Sequence, residues 1–176
     1  MRVKKILAPT DLSENSRRGL DYAFSVAEES KAELIVLHVA NEFQAWELYS
    51  DETAFNPDSW TTDRVVSEAA LDLNRLLEKH RDRACRIRAL RKKVVLGQVV
   101  EKIVEIAEEE ETDLIVMSPR AHGAMRRFFL GSVTDRVTRE APCPVLSVSV
   151  RRKAGHWGGK LVPSALLSLR HEEAST

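Results

Sequence analysis

The chain of 176 residues has few cysteines, no excess of either charge and no long apolar run, and each absence excludes a class of protein. Its two cysteines, Cys85 and Cys143, lie far apart and fit no zinc-binding or redox spacing, which argues against a disulfide scaffold. Lysine plus arginine and aspartate plus glutamate both number 27, so the net charge is zero. Since nucleic-acid-binding domains usually carry a basic excess, we expect no nucleic-acid partner.

No stretch reaches the length that crosses a membrane, and the first residues lack the apolar run of a secretory signal peptide. We therefore expect no membrane association and a cytoplasmic location. The length suits one domain with a sizeable core. We assign that domain to residues 1–150 and a C-terminal extension to residues 151–176, in which a linker precedes a short amphipathic helix.

Strand patterns and helix patterns alternate along the first 150 residues. Apolar runs predict strands, and apolar residues at helical spacing predict helices. The predicted strands are residues 3–8, 33–40, 92–96, 114–117 and 145–150, and the predicted helices are residues 13–30, 63–83, 99–110 and 132–140. This alternation predicts an α/β fold, with a parallel sheet and helices on both faces.

Two polar stretches accompany these elements. Residues 41–62 form a long polar segment with several aromatic side chains, which indicates either a lid or a loop whose rings pack onto the body. The acidic run at residues 108–111, where a helix ends, is predicted to be a solvated face.

The segment from Met117 to Asp135 has the pattern of a phosphate site. An apolar strand leads into a loop, and the loop ends at Gly131 and Ser132, where a helix begins. Backbone N–H groups at a helix N-terminus and the helix dipole together bind anions such as phosphate. Ser132 is predicted to be the N-cap of a capping box with Asp135, and such a cap stabilises any helix, with or without a ligand.

Polar residues also follow the first two strands. Ligands of open α/β sheets bind beyond the carboxyl ends of the strands, where the strand order reverses. Asp11 follows the first strand as a hydrogen-bond acceptor for a base or sugar, unless Thr10 and Asp11 only close the strand and cap the next helix. Val39 ends the second strand as an apolar wall, and His38 is predicted to be a buried, hydrogen-bonded structural residue.

No catalytic or metal-binding motif is present in the sequence. It has no nucleophile elbow and no cluster of histidine, cysteine and carboxylate residues at metal-ligand spacing. We therefore predict that the protein is not an enzyme.

Several motifs stand in the order and spacing of the universal stress protein family, which the chain resembles over residues 1–150. The matching segments are residues 5–13, 37–39, 97, 113–117, 130–133 and 141–145. The resemblance implies a three-layer Rossmann-like fold with an open five-stranded parallel sheet in the order 3-2-1-4-5. It also implies a stress-response role and a homodimer that pairs through the last strand, residues 145–150.

The resemblance further implies a site for an adenine nucleotide, ATP or AMP, with little or no turnover and with Mg²⁺ only if ATP is bound. Slow ATP hydrolysis is a weaker alternative, because only Asp11, Ser132 and Thr134 offer a base or a metal ligand. By position, the residues that border the adenosine are Pro9, Thr10, Asp11 and Val39. The residues that border the ribose and phosphates are Met117, Ser118, Gly131, Ser132, Val133 and Thr134, and Arg120 adds positive charge.

Two loop positions differ from the ATP-binding members of the family, which carry glycine where this chain has Ser118 and Ala121. Glycine reaches positive φ and lets phosphate approach the backbone, and Pro119 removes a further N–H. A loss of about 1–2 kcal/mol weakens affinity roughly fivefold to thirtyfold. The alternative function is therefore a nucleotide-independent dimer that acts as an interaction or protective protein.

Overall fold

The parallel sheet expected from the sequence is confirmed by the computed structural model, which describes residues 3–40, 62–119 and 131–148. The strands are β1 (Lys5–Pro9), β2 (Glu33–Ala40), β3 (Ala89–Leu96), β4 (Leu114–Met117) and β5 (Val145–Ser147). They form one five-stranded sheet in the order β3-β2-β1-β4-β5, and every neighbouring pair is parallel. Residues 41–61 and 151–176, with their predicted loop and helix, lie outside the described residues.

Helices cover both faces of this sheet, so the predicted three layers are also confirmed. The helices are α1 (Glu14–Ser30), α2 (Thr62–Glu78), α3 (Arg81–Ala84), α4 (Val99–Glu109) and α5 (Ser132–Glu140). Alternate residues of β1 and β2 face opposite layers, because side chains alternate across a strand. Ile6 and Leu34 pack with α1 and α2, whereas Leu7 and Ile35 pack with α4 and α5.

The helix predicted over residues 63–83 is divided in two, which corrects the prediction. Helix α2 ends at Glu78, and the short helix α3 begins only at Arg81. His80 lies between them, where its Nε2 is 2.9 Å from Asp21 Oδ1 of α1 and its ring stacks on Phe24. These contacts with α1 fix the break, and sequence periodicity does not report them.

Strand β3 starts three residues earlier than predicted. Its whole length pairs with β2, from Ala89 opposite Glu33 to Leu96 opposite Ala40. The first part of β3 carries arginine and lysine residues, which obscure a strand pattern. Such charges are tolerated because β3 is the outer strand of the sheet, where they also discourage pairing with other chains.

Glu110 is not part of a solvated face, in contrast to the prediction for residues 108–111. Its side chain is only 12% exposed, and it accepts two hydrogen bonds from the Arg91 guanidinium, at 2.7 and 2.9 Å. Lys93 Nζ donates a third at 3.0 Å. The Arg91 hydrogen bonds, and after them the Lys93 bond, lower the pKa of Glu110 to about 2 against the opposing effect of burial.

We expect Glu110→Gln to lower the free energy of unfolding at pH 7 by about 1–2 kcal/mol, a value reduced by solvent screening at the half-exposed Arg91. Because the folded-state pKa lies below the ordinary 4.5, this contribution is complete above pH 4.5 and is lost as the pH falls towards 2. Urea unfolding at pH 7, 4.5 and 3 measures it. Glu105→Gln is the control, since Glu105 forms an exposed pair with Lys102 on the same helix. A difference between variant and parent that does not shrink at low pH would contradict the assignment.

Candidate functional site

A cleft of about 370 Å³ opens at the carboxyl ends of β1, β2 and β4. The strand order reverses between β1 and β4, which is the position where open α/β sheets bind ligands. The cleft is lined by all the predicted site residues that the structure describes: Pro9, Thr10, Asp11, Val39, Met117, Ser118, Gly131, Ser132, Val133 and Thr134. Arg120 and Ala121 lie outside the described residues.

Sequence reasoning did not assign Ser16, Val99 and Ile103 to the cleft, although they also line it. Val99 and Ile103 stand one turn apart at the start of α4, and Ser16 lies in the first turn of α1. Each belongs to a helix that begins at the carboxyl edge of the sheet. The four-residue spacing of Val99 and Ile103, just after Gly97, is typical of one helix face and could have predicted their apolar contribution to the cleft.

The loop between β1 and α1 is held by its own side chains. The Thr10 hydroxyl lies 2.9 Å from Ser16 Oγ and accepts a hydrogen bond from Leu12 N at 3.1 Å. Ser13 N donates to Asp11 Oδ1 at 3.0 Å, a local turn that fixes the carboxylate at the mouth of the cleft. The N-cap of α1 is Ser13, whose Oγ accepts from Ser16 N, so Thr10 and Asp11 do not cap the helix.

His38 is buried and hydrogen-bonded, which confirms its predicted structural role. Only 8% of it is exposed, and its Nδ1 donates to the Thr10 carbonyl at 2.9 Å. Since a carbonyl only accepts, Nδ1 carries the proton. His38 thereby holds the end of β1 against β2, and it contributes to the cleft lining.

The helix at the phosphate end of the cleft begins differently from the prediction. Gly131, not Ser132, is the N-cap of α5, and Ser132 is the first helical residue. Gly131 has φ 78° and ψ 143°, a conformation that side chains disfavour, so glycine sets the turn into the helix. No capping box forms, because the N-cap has no side chain. The first N–H groups of α5 have no acceptor within the helix and remain suited to an anion.

Ser118, which stands where the ATP-binding members of the family carry glycine, does not need a glycine conformation. Among the described non-glycine residues, positive φ occurs at Leu12, Lys31 and Glu111 and not at Ser118. The Ser118 hydroxyl donates to the Val148 carbonyl at 2.9 Å, beside β5. The replacement therefore costs no left-handed conformation at this position, and its effect on a ligand depends on the side chain.

Within the described ranges, no three histidine, cysteine or carboxylate residues are grouped in a way that could hold a metal ion. In the same ranges, no helix is both long and apolar enough to span a bilayer.

Comparison with known proteins agrees with this geometry. The model of the universal stress protein family matches residues 2–149. Universal stress protein MJ0531 of Methanocaldococcus jannaschii is 29% identical, over 85% of this chain and 84% of its own length. A universal stress protein of Thermus aquaticus is 32% identical, over 82% of this chain and 98% of its own. A solved structure of a universal stress protein in complex with cAMP is 25% identical, with a TM-score of 0.61, and the alignment covers 85% of this chain and 99% of that one.

These matches extend across both the sheet and the cleft, because they include the segments that end β1, β2 and β4 and the segment that begins α5. The chain belongs to the universal stress protein family.

Proposed function

We propose that this protein is a stress-response regulatory module that binds an adenine nucleotide, ATP or AMP, with little or no turnover. The observation that carries the proposal is the cleft at the strand-order reversal, onto which the N-terminus of α5 opens. Its volume lies in the range of small-molecule sites, about 300–1,000 Å³. The family member whose structure contains cAMP supports an adenine nucleotide as the ligand class.

The two ends of the cleft suit the two ends of a nucleotide. Pro9, Val39 and Met117 offer apolar surface for a base, and Asp11 offers a carboxylate acceptor for sugar hydroxyls or a base amine. At the other end, the N–H groups of the first turn of α5 are donors without intrahelical acceptors. The helix dipole adds partial positive charge at the same point, which favours phosphate.

Little or no turnover is proposed because few described residues near the phosphate end could act on it. Ser132 and Thr134 supply hydroxyls, and Asp11 is held by the turn that Ser13 N closes. Mg²⁺ would enter only with ATP, largely through the phosphate oxygens. We propose a cytoplasmic homodimer that pairs through β5, which is an outer strand of the sheet.

Isothermal titration tests the proposal. We expect AMP and ATP to bind with one site per chain and a Kd of about 10 µM to 1 mM, since the loop lacks two glycines. Adenosine should bind more weakly than AMP, because it lacks the group that the α5 N-terminus would hold. No heat and no competition up to millimolar AMP and ATP would contradict the proposal.

The second candidate, a nucleotide-independent interaction or protective protein, is favoured by one feature of the loop. The Ser118 hydroxyl donates to the Val148 carbonyl, and Pro119 has no N–H, so neither this hydroxyl nor the Pro119 backbone supplies a donor to phosphate. Replacing both Ser118 and Ala121 with glycine separates the candidates. A gain of ATP binding that the parent lacks supports this second function, whereas equal binding by both proteins shows that the glycines are dispensable.

A further inference from the structure

Two consecutive residues at the end of β4, Met117 and Ser118, form hydrogen bonds with Val148, the residue that follows β5. Val148 N donates to the Met117 carbonyl at 2.8 Å, and Ser118 Oγ donates to the Val148 carbonyl at 2.9 Å. Both polar groups of the Val148 backbone are therefore held by residues that line the cleft. The cleft wall and the outer edge of the sheet meet at this point.

Helix α1 packs closely against Met117 and Ser118 through Gly19. A Cβ atom at Gly19 would lie 2.9 Å from Ser118 N, 3.1 Å from Ser118 Cβ and 3.2 Å from the Met117 carbonyl carbon. Contacts this short with backbone are not tolerated, so glycine at position 19 is what permits the close approach. Glycine at position 19 therefore makes room for the backbone of Met117 and Ser118 and for the Ser118 Cβ atom.

The hydrogen bond to Val148 also determines what Ser118 can offer a ligand. A serine hydroxyl has one proton, and Ser118 gives it to the Val148 carbonyl. Its remaining lone pairs only accept, and a fully ionised phosphate does not donate. The Ser118 hydroxyl is therefore suited to hold the cleft wall in place and not to bind phosphate directly.

We propose that Ser118 and Gly19 form a positioning pair that couples the nucleotide cleft to the outer strand β5. This inference rests on the proposed nucleotide-binding function. Gly19 admits the backbone and the Cβ atom of Ser118, and the Ser118 hydroxyl bonds the cleft wall to Val148. A ligand that packs on Met117 and Ser118 stabilises that hydrogen bond. By linkage, whatever stabilises the Val148 contact strengthens ligand binding to the same extent.

Amide hydrogen exchange at Val148 is the measurement, because the Val148 N–H donates to the Met117 carbonyl at the end of β4. In the parent, we expect saturating AMP to slow this exchange about fivefold or more. Ser118→Ala should exchange about fivefold faster without ligand and should lose the AMP effect, because the bond to Val148 is gone. Ser147→Ala is the matched control, since Ser147 Oγ is buried next to Val148 without a hydrogen-bond partner among the described residues.

Gly19→Ala gives an independent variant. Alanine favours a helix over glycine, so a stability loss there reports the contact with Ser118 and not helix propensity. We expect AMP binding weakened at least tenfold and faster exchange at Val148, because the end of β4 must move.

The outcomes separate this inference from the proposed function. AMP binding to the parent without any change at Val148 overturns the coupling and leaves the proposed function standing. Equal exchange in Ser118→Ala and Ser147→Ala, or parent-like AMP binding and exchange in Gly19→Ala, also overturns it. Absence of AMP binding to the parent overturns both.

Discussion

Replacing Phe24 with alanine is expected to lower the free energy of unfolding by about 3–5 kcal/mol, a large part of the stability of an ordinary domain. Phe24 has no exposed surface and belongs to the core between α1, α2 and the sheet. Its ring stacks on the His80 ring with centroids 4.8 Å apart and an interplanar angle of 8°. The guanidinium of Arg83, which belongs to α3, lies 5.4 Å from the centre of the Phe24 ring.

The cost of this substitution should be high because the surrounding groups are fixed and cannot fill the space. His80 is held by Asp21 at 2.9 Å, and Arg83 Nε donates to Glu28 at 2.7 Å. Hydrogen bonds to α1 therefore hold both neighbours of the ring in place, and removal of the ring leaves a cavity.

Urea unfolding followed by circular dichroism measures the effect of Phe24→Ala. Leu71→Ala is the control, because Leu71 on α2 is 56% exposed and should cost less than about 0.5 kcal/mol. If the two variants lost similar free energies of unfolding, the residues around Phe24 would have to relax into the space that the ring leaves.

The elements that the sequence predicted best are those whose residues are buried in continuous runs. β2 and β4 have the predicted limits, because their apolar side chains face helices on both sides of the sheet. Helix α5 also has its predicted limits, although its N-cap is Gly131 and not the predicted Ser132. The pattern of these segments is local, and it needs no knowledge of their neighbours.

The features that the sequence did not predict depend on contacts between distant residues. The break at His80 is made by α1, the early start of β3 by pairing with β2, and the burial of Glu110 by Arg91 and Lys93. In each case the local pattern was polar. The residues that determine the structure there lie 17 or more positions away along the chain.

The candidate site was predictable because each of its segments follows the end of a strand or begins a helix. Asp11 and Val39 were placed by that rule, whereas Met117 was assigned by the family resemblance, and all three line one cleft. The bond from Ser118 to Val148 was not predictable, since its two residues lie 30 positions apart along the chain. The motif thus located the cleft, whereas contacts between distant residues determine how one of its lining residues is used.

Ser132→Asp is expected to weaken AMP binding about tenfold to a hundredfold without destabilising the protein. Ser132 is exposed, lines the cleft and is the first residue of α5. A carboxylate there is favoured by the helix dipole, by about 0.3–1 kcal/mol, so the fold tolerates it. The same charge repels phosphate, and two unit charges about 5 Å apart interact by roughly 3 kcal/mol at an effective dielectric constant of 20.

The charge of the ligand separates this repulsion from a steric effect. Affinity for ATP should fall more than affinity for AMP, while affinity for adenosine should change less than about twofold, because only the phosphates meet the new charge. Ser132→Asn is the control, since it has nearly the same shape without the charge. Raised ionic strength should recover part of the loss at this exposed position. Equal losses for adenosine and AMP would place the phosphate elsewhere in the cleft, and parent-like AMP binding would show that the N-terminus of α5 does not hold it.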